Sequence, residues 1–236
     1  MCLRLKRGGF LEKSLSNIDM FVDLSDEQLD AIADICDWQA LPAGRTIVTA
    51  EDQTDAVFFV TKGRVSVKGF SSDGKEVTYN EIRAGGLFGE FSAIDGRPRS
   101  AFVQTIDGST IASLIGKQFR DLVASMPGVG LRMAEHMIAK NRQLTERIYE
   151  YSTMSVKTRI CAELVRLAEA AGPGKNSVAI NPAPSHYELS TRLSTHREAV
   201  SREMSVLSAA GIVETGRQKL KVLDVARLRD LLEVGV

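Results

Sequence analysis

The sequence predicts an α+β protein with an N-terminal antiparallel β-roll, a long helix and a C-terminal winged helix-turn-helix. Three observations predict this fold. Short apolar stretches separated by Gly and Asp turn signals recur about every ten residues between Trp38 and Ile115. A heptad pattern follows, and two helix-start motifs stand close together after it. The expected domains are 1–126, the roll with its N-terminal helices, 127–152, the long helix, and 153–236, the winged module.

Composition narrows the function classes before any motif is considered. The 236 residues carry 30 Lys and Arg against 30 Asp and Glu, and 44% are hydrophobic, as in ordinary globular proteins. No apolar run approaches the roughly 18 residues that span a bilayer, and the basic N-terminus lacks the apolar core of a secretory signal. We therefore expect a cytoplasmic protein without a membrane partner.

The cysteines and the absence of catalytic motifs exclude further classes. Cys2, Cys36 and Cys161 lie far apart, which fits neither a disulfide framework nor a metal knuckle, so we expect reduced thiols and no metal. The sequence shows no Ser/His/Asp set, Walker loop or metal-spaced His cluster. It predicts no enzyme, no catalytic residue and no covalent cofactor.

Charge differs between the two parts of the chain. Residues 1–152 carry 18 Lys and Arg against 21 Asp and Glu, a net charge of −3. Residues 153–236 carry 12 against 9, a net charge of +3. The sign favours the C-terminal part as the side that meets a nucleic acid.

The first half is expected to hold one helical stretch and a series of strands. Apolar residues near helical spacing predict a helix over 14–36. Val, Ile, Phe and Thr enrichment predicts strands at 46–48, 56–61, 64–70, 77–82, 100–105 and 110–115. None of the intervening segments is long enough for a crossover helix, which excludes a Rossmann-type sheet.

The long helix is predicted over 127–151, where two series of residues repeat every seven positions and interleave as a coiled-coil seam. A polar residue in such a seam fixes register and favours two strands, so we expect a parallel homodimer. The alternative is a helix that packs its stripe on its own domain. The expected interface residues are Ala134, Met137, Asn141, Leu144, Ile148 and Tyr151.

Two capping boxes predict the helix-turn-helix. Ser185 with Glu188, and Thr195 with Glu198, match the pattern S/T-x-x-E that begins a helix. Starts ten residues apart leave room for two turns of helix and a tight corner. A Gly usually occupies this corner, where the chain has Ser194.

The second helix of this pair is predicted to contact DNA. Its buried stripe would be Val200, Met204 and Leu207. The opposite face offers Arg for guanine and Glu for cytosine, and a basic hairpin after it offers cations to phosphate. The expected DNA-binding residues are Arg197, Glu198, Ser201, Arg202, Arg217 and Lys219.

Two motifs together carry a resemblance to a known family. Gly89-Glu90-Phe91-Ser92 followed by Arg99-Ser100-Ala101 resembles the phosphate-binding cassette of cyclic-nucleotide-binding domains. With the R-E-x-x-x-R helix at 197–202, the chain resembles the CRP/FNR family of transcription regulators over about residues 15–223. The resemblance implies an allosteric cyclic nucleotide, a homodimer on double-stranded DNA, a TGTGA-like palindrome, and RNA polymerase as a further partner.

The resemblance also implies roles for the cassette. Arg99 would bind the cyclic phosphate bidentately and Ser100 would add a hydroxyl. Gly89 would let the backbone approach the phosphate, and Phe91 follows in the cassette. Glu90 would accept from the ribose 2′-hydroxyl.

The base contacts depart from the pattern of the cAMP-binding members. A Thr-Ser pair on the long helix is expected there, and this chain has Leu144-Thr145. Leu144 has no hydrogen-bonding group, whereas Thr145 keeps a hydroxyl and Asn141 adds an amide. We therefore expect cAMP as ligand, with cGMP also accepted.

Other readings stay open from the residues alone. An iron–sulfur sensor needs about four Cys ligands, more than the chain has. A haem sensor would use His136, His186 or His196. A regulator with another effector or none, and a cyclic-nucleotide-binding regulatory subunit of an enzyme, are further alternatives; the subunit would leave the helix-turn-helix unexplained.

Overall fold

The computed structural model describes residues 13–216 and 219–233. The predicted fold class is confirmed: an antiparallel sheet domain is followed by long helices and a helix-turn-helix. The α-helices are α1 (Asp26–Asp34), α2 (Glu90–Asp95), α3 (Gly116–Ser125), α4 (Pro127–Thr153), α5 (Val156–Ala171), α6 (His186–Arg192), α7 (Arg197–Ala209) and α8 (Val225–Glu233). The strands are β1 (Asp37–Leu41), β2 (Thr46–Val48), β3 (Val57–Lys62), β4 (Arg64–Phe70), β5 (Glu76–Arg83), β6 (Leu87–Phe88), β7 (Phe102–Thr105), β8 (Ser109–Leu114), β9 (Val178–Ile180), β10 (Val213–Gly216) and β11 (Lys219–Val222).

The continuous helix expected over 14–36 is wrong. Leu15, Ile18, Phe21 and Leu24 follow one another at a spacing of three, and amide groups donate to carbonyls three residues back along this run. That is the period of a 3₁₀ turn rather than of an α-helix. The α-helix α1 begins only after Ser25, whose side chain caps the Gln28 amide.

Two four-stranded sheets build the roll, in the orders β1-β8-β3-β6 and β2-β7-β4-β5. Alternate residues of one strand face opposite sides of a sheet, and both faces of the first sheet are covered. Phe59 and Leu87 join the core formed with the N-terminal segment, α3 and α4. Val60 and Phe88, each one residue further on, join the core that contains residues of the second sheet.

The C-terminal module has its own core. Helices α5 to α8 and the three-stranded sheet β10-β11-β9 contribute to it. Ile160, Leu164, Leu193 and Leu228 are at most 1% exposed. The buried apolar residues of the helix-turn-helix are part of this core, and its charged residues Arg197, Glu198 and Arg202 lie at the surface.

The chain divides into two compact units. The first contains the described residues up to Gly69 together with Tyr79–Ile138, and the second contains Phe70–Thr78 and the residues from Ala139 onward. The division falls inside α4. The sequence-based domain boundaries stay a prediction. Within the described ranges, no helix is long and apolar enough to cross a membrane.

Candidate ligand site and nucleic-acid interface

Arg99 is the centre of the candidate ligand site in the first unit. Its side chain is almost fully buried, with 3% of the residue exposed. Its Nε donates to Thr54 Oγ1 at 3.0 Å, Nη1 to the Gly89 carbonyl at 2.9 Å and Nη2 to the Ala56 carbonyl at 2.7 Å. A guanidinium has five N–H donors, so these neutral acceptors fix its position and leave donors for an anion.

Gly89 lets the backbone pass beside this guanidinium. Its φ is +86°, and a Cβ there would lie 2.7 Å from both the Ala56 carbonyl oxygen and Arg99 Nη1. A side chain would therefore be strained and would displace the arginine. Glycine is the residue that this close approach requires.

Glu90 brings a carboxylate to the same place. It is the first residue of α2 and is 2% exposed. Burial lowers the pKa of Arg99, and the carboxylates of Asp55, Asp52 and Glu90 oppose that shift. A buried guanidinium beside a buried carboxylate can bind an anion that also carries a hydroxyl. The guanidinium donates hydrogen bonds to the anion, and the carboxylate accepts one from the hydroxyl.

The other predicted ligand residues lie on two elements. Ser100 is exposed next to Arg99, and Phe91, on α2, is 38% exposed. Asn141, Leu144 and Thr145 are exposed on the part of α4 that belongs to the second unit. There the Thr145 hydroxyl donates to the Asn141 carbonyl at 3.0 Å.

The helix-turn-helix is formed by α6 and α7. Ser185 and Glu188 form the expected capping box at the start of α6. The second expected box is wrong: α7 begins one residue later than its pattern requires, with His196 as N-cap and no side-chain cap. The tight corner explains this, because Ser194 has φ +49° and the Thr195 amide donates to the Ser190 carbonyl.

The predicted recognition face is exposed in the structure. Arg197, Glu198 and Arg202 point away from the buried stripe Val200, Met204 and Leu207, which is at most 2% exposed. Charged side chains at the start of a second helix can reach base edges in a major groove.

The other three predicted DNA-binding residues are Ser201, Lys219 and Arg217. Ser201 is half-buried, and its Oγ is hydrogen-bonded to His186 Nδ1 at 2.8 Å, which ties α7 to α6. Lys219 is exposed on the hairpin of β10 and β11. Arg217 lies outside the described residues.

Of the six expected interface residues of α4, Ala134, Asn141, Leu144 and Ile148 are exposed, and two contact their own unit. Met137 packs against the core of the roll, and Tyr151 donates its hydroxyl to the Arg192 carbonyl at 2.7 Å, so both contact their own unit. Val129 and Met133 are buried on the same face as Met137. The exposed face carries a stripe at spacings of three and four: Leu131, Ala134, Ile138, Asn141, Thr145 and Ile148.

Sequence reasoning missed a buried ionic cluster in the second unit. Its centre is Glu163, whose side chain is 5% exposed and accepts from three arginines at 2.9–3.3 Å. Glu150, also buried, accepts from two of them. The charge cluster consists of Arg147, Glu150, Glu163, Arg166 and Arg192. These residues lie on α4, α5 and α6. A pattern in a single sequence does not predict which residues of three different helices contact each other.

The described thiols are inert. Burial raises the pKa of Cys36 to about 12 and that of Cys161 to about 11, so both are protonated at neutral pH. Cys2 lies outside the described residues. No group of His, Cys, Asp and Glu in the part of the chain that the structure describes could hold a metal ion.

Comparison with family models gives two matches. Residues 38–126 match the cyclic nucleotide-binding domain, and residues 158–231 match the Crp-like helix-turn-helix domain. The first match contains the candidate ligand site, and the second contains the recognition face.

Whole-chain relatives support the same combination. The Cyclic AMP receptor protein of Thermus thermophilus is 25% identical over 213 residues, covering 90% of this chain and 95% of that protein. The cAMP-activated global transcriptional regulator CRP of Haemophilus influenzae is 24% identical over 211 residues, covering 86% and 94%. Among solved structures, a CooA mutant from Carboxydothermus hydrogenoformans has a TM-score of 0.79 at 21% identity, covering 93% of this chain and 97% of that one. That likeness shows the fold.

Proposed function

Because the chain belongs to the CRP/FNR family of transcription regulators, we propose that a 3′,5′-cyclic purine nucleotide bound at Arg99 and Glu90 controls its binding to DNA. The single observation that carries the proposal is the buried Arg99 guanidinium, held by neutral acceptors beside the buried Glu90 carboxylate. The ligand is cAMP, with cGMP also accepted.

The ligand class follows from charge and hydrogen bonding. A cyclic phosphodiester carries one negative charge on two exocyclic oxygens, which matches one guanidinium with donors to spare. Glu90 cannot bind the phosphate, since like charges repel, but its carboxylate can accept a hydrogen bond from a sugar hydroxyl. Ser100 and the backbone at Gly89 complete the phosphate end.

The base contacts are proposed from the family resemblance alone. We extend the proposal to Asn141, Leu144 and Thr145 by the resemblance to cAMP-binding members of the family. Thr145 and Asn141 have groups that can bond a purine edge, and Leu144 does not. This difference is the reason for including cGMP.

The DNA proposal rests on the exposed charges of α7. Arg197 and Arg202 can each bond guanine bidentately, and Glu198 can accept from cytosine N4, which suits a TGTGA-like half-site. Lys219, and by sequence Arg217, would contact phosphate. Two modules on a twofold axis would read half-sites about 34 Å apart, so the site is a palindrome.

The dimer proposal rests on the exposed stripe of α4. Leu131, Ile138 and Ile148 are 55–65% exposed, which is costly for large apolar side chains on a free helix. Their heptad spacing, with Asn141 among them, favours a two-stranded parallel coiled coil with a second copy of this chain.

A calorimetric titration of the full chain tests the proposal. We expect saturable binding of cAMP and cGMP, and weaker binding of 5′-AMP, whose dianionic phosphate lacks the ring. Absence of binding by either cyclic nucleotide would contradict the effector assignment. A protein that then still binds a TGTGA palindrome would be a regulator with another effector or none.

A further inference from the structure

His136 lies beside the candidate ligand site and is not explained by packing alone. Its side chain is 32% exposed, and its Nε2 lies 3.8 Å from Glu90 Oε1. That separation is too long for a hydrogen bond. Nε2 itself is buried and has no hydrogen-bond partner among the described residues.

The helix fixes where this ring can lie. Met133 is 4% exposed on the face of α4 that packs on the roll, and Met137 packs on the same core. His136 is three residues after the first and next to the second, so it sits at the edge of that face. The backbone near His136 is therefore held by the packing of its neighbours, and the ring lies 3.8 Å from Glu90 Oε1 with about a third of its side chain exposed.

A buried polar atom without a partner is unfavourable, and such atoms mark places where a ligand or a small movement completes the bonding. Glu90 is the acidic group that faces Nε2, and it is 2% exposed. A closing movement of less than 1 Å, roughly the difference from an ordinary N–H···O distance, would make Nε2–H donate to Oε1.

We propose that His136 is a positioning residue that sets the ribose specificity of this site through Glu90. When the nucleotide binds, Nε2–H donates to Oε1 of Glu90, which turns Oε2 towards the ribose 2′-hydroxyl. The proposal rests on the proposed function, because it needs a cyclic nucleotide in the site. His136 favours ribonucleotides over 2′-deoxyribonucleotides without touching the phosphate.

Two variants separate this role from packing. His136→Gln keeps an N–H near the position of Nε2, and His136→Leu keeps apolar bulk without any donor. Arg142→Gln, an exposed position on the same helix, is the control. Calorimetry measures the affinity of each protein for cAMP and for its 2′-deoxy analogue, and thermal melting confirms that each is folded.

We expect His136→Leu to lose about tenfold in affinity for cAMP, the scale of one bond to a charged group, and little for the 2′-deoxy analogue. The ribose preference then falls, His136→Gln restores most of it, and Arg142→Gln leaves it unchanged. An equal loss for both ligands, or an unchanged preference in His136→Leu, would overturn the proposal. Failure of the wild type to bind either ligand would instead overturn the proposed function.

Discussion

Each unit of the molecule buries a group of charges, and the two groups are built in opposite ways. In the first unit, the Arg99 guanidinium is held by two carbonyls and a hydroxyl, all of them neutral. In the second unit, Glu163 is held by three guanidinium groups, and Arg166 is shared with Glu150. Arg99, Glu150 and Glu163 are all buried, so the exposure of these central residues does not distinguish the two groups.

The difference shows which buried charge is available for a ligand. A buried ion with ionic partners is compensated within the protein, and its removal leaves those partners unpaired. The hydrogen-bond acceptors of Arg99 are neutral, and the carboxylates of Asp52, Asp55 and Glu90 act on it electrostatically, so the guanidinium is fixed in place and keeps N–H donors for an incoming anion. We therefore assign ligand binding to the first group and the joining of α4, α5 and α6 to the charge cluster.

The largest effect is expected from Glu163→Gln. Loss of this charge leaves Arg147, Arg166 and Arg192 partly uncompensated, and we expect the second unit to lose about 3–5 kcal/mol of unfolding free energy. Urea unfolding followed by far-UV circular dichroism measures it. Trp38, the one tryptophan of the sequence, lies in the first unit and reports that unit separately.

Glu169→Gln is the matched control for this variant. Glu169 lies on the same helix as Glu163, α5, and forms an exposed ion pair with Arg229 of α8; such pairs contribute about 0–1 kcal/mol. If Glu163→Gln costs no more than Glu169→Gln, the charge cluster does not stabilise the second unit.

Acid should weaken the second unit through the same residue. Burial raises the pKa of Glu163, but the guanidinium groups of Arg147, Arg166 and Arg192 outweigh it, and the net pKa lies below the ordinary 4.5. A carboxyl whose pKa is lower in the folded state contributes stability above that ordinary value, and the contribution is lost as pH falls through the folded pKa. Urea midpoints between pH 7 and pH 3 should therefore fall more steeply in wild type than in Glu163→Gln; parallel curves would contradict this.

Arg99→Leu should weaken nucleotide binding strongly while the fold persists. Loss of a charge-assisted pair in a buried site is expected to cost on the order of 2–3 kcal/mol of binding free energy. Calorimetry with cAMP measures it. Arg97→Leu is the control, since that side chain is 84% exposed and two residues away. Equal affinities of Arg99→Leu and wild type for cAMP would contradict the assignment of Arg99 to the ligand site.

The recognition face gives two effects of different kinds. Arg197→Ala should cost about 1–3 kcal/mol of binding free energy and relax the preference at one G·C pair, because it removes a base contact. Lys219→Ala should weaken binding to all sequences and reduce the salt slope by about 1, because it removes a phosphate contact. Mobility shifts on a TGTGA palindrome and on single-pair variants at several salt concentrations separate the two. The same sequence profile in both variants would contradict the assignment.

The smallest effect is expected from Leu144→Thr, on the preference between the two nucleotide bases. Leu144→Thr adds a hydroxyl at the position where the cAMP-binding members of the family have one, and should favour cAMP over cGMP by about 0.5–1.5 kcal/mol, one net hydrogen bond. Parallel titrations with both nucleotides measure the ratio. A wild type that already excludes cGMP would contradict the role given to Leu144.

Regular local patterns were sufficient for most of the fold. All six stretches expected as strands contain one, because turn residues and β-branched runs are local signals. β1 (Asp37–Leu41) was not expected, and the structure shows no clear alternation of buried and exposed residues along it. The prediction of a helix over 14–36 was wrong because apolar residues spaced by three were interpreted as the 3.6-residue period of an α-helix.

The site was predictable only where a motif is contiguous. Gly89, Glu90 and Arg99 stand close together in sequence, and the structure brings them together around one guanidinium. His136 and Glu163 act through residues on other helices, so their partners depend on tertiary packing. The expected α4 seam shows the same limit. Its heptad pattern does not reveal that Met137 packs on the roll, and only the structure does.

The central claim is that the nucleotide held at Arg99 changes the affinity for DNA, and a ligand can do so only if it favours the DNA-binding state. The most direct measurement is the dissociation constant for a TGTGA palindrome, at one stated salt concentration, in wild type and in Arg99→Leu, without cAMP and with the lowest cAMP concentration that saturates wild type. We predict that cAMP tightens DNA binding in wild type and has no effect in Arg99→Leu. Equal affinity of wild type with and without nucleotide would contradict the account.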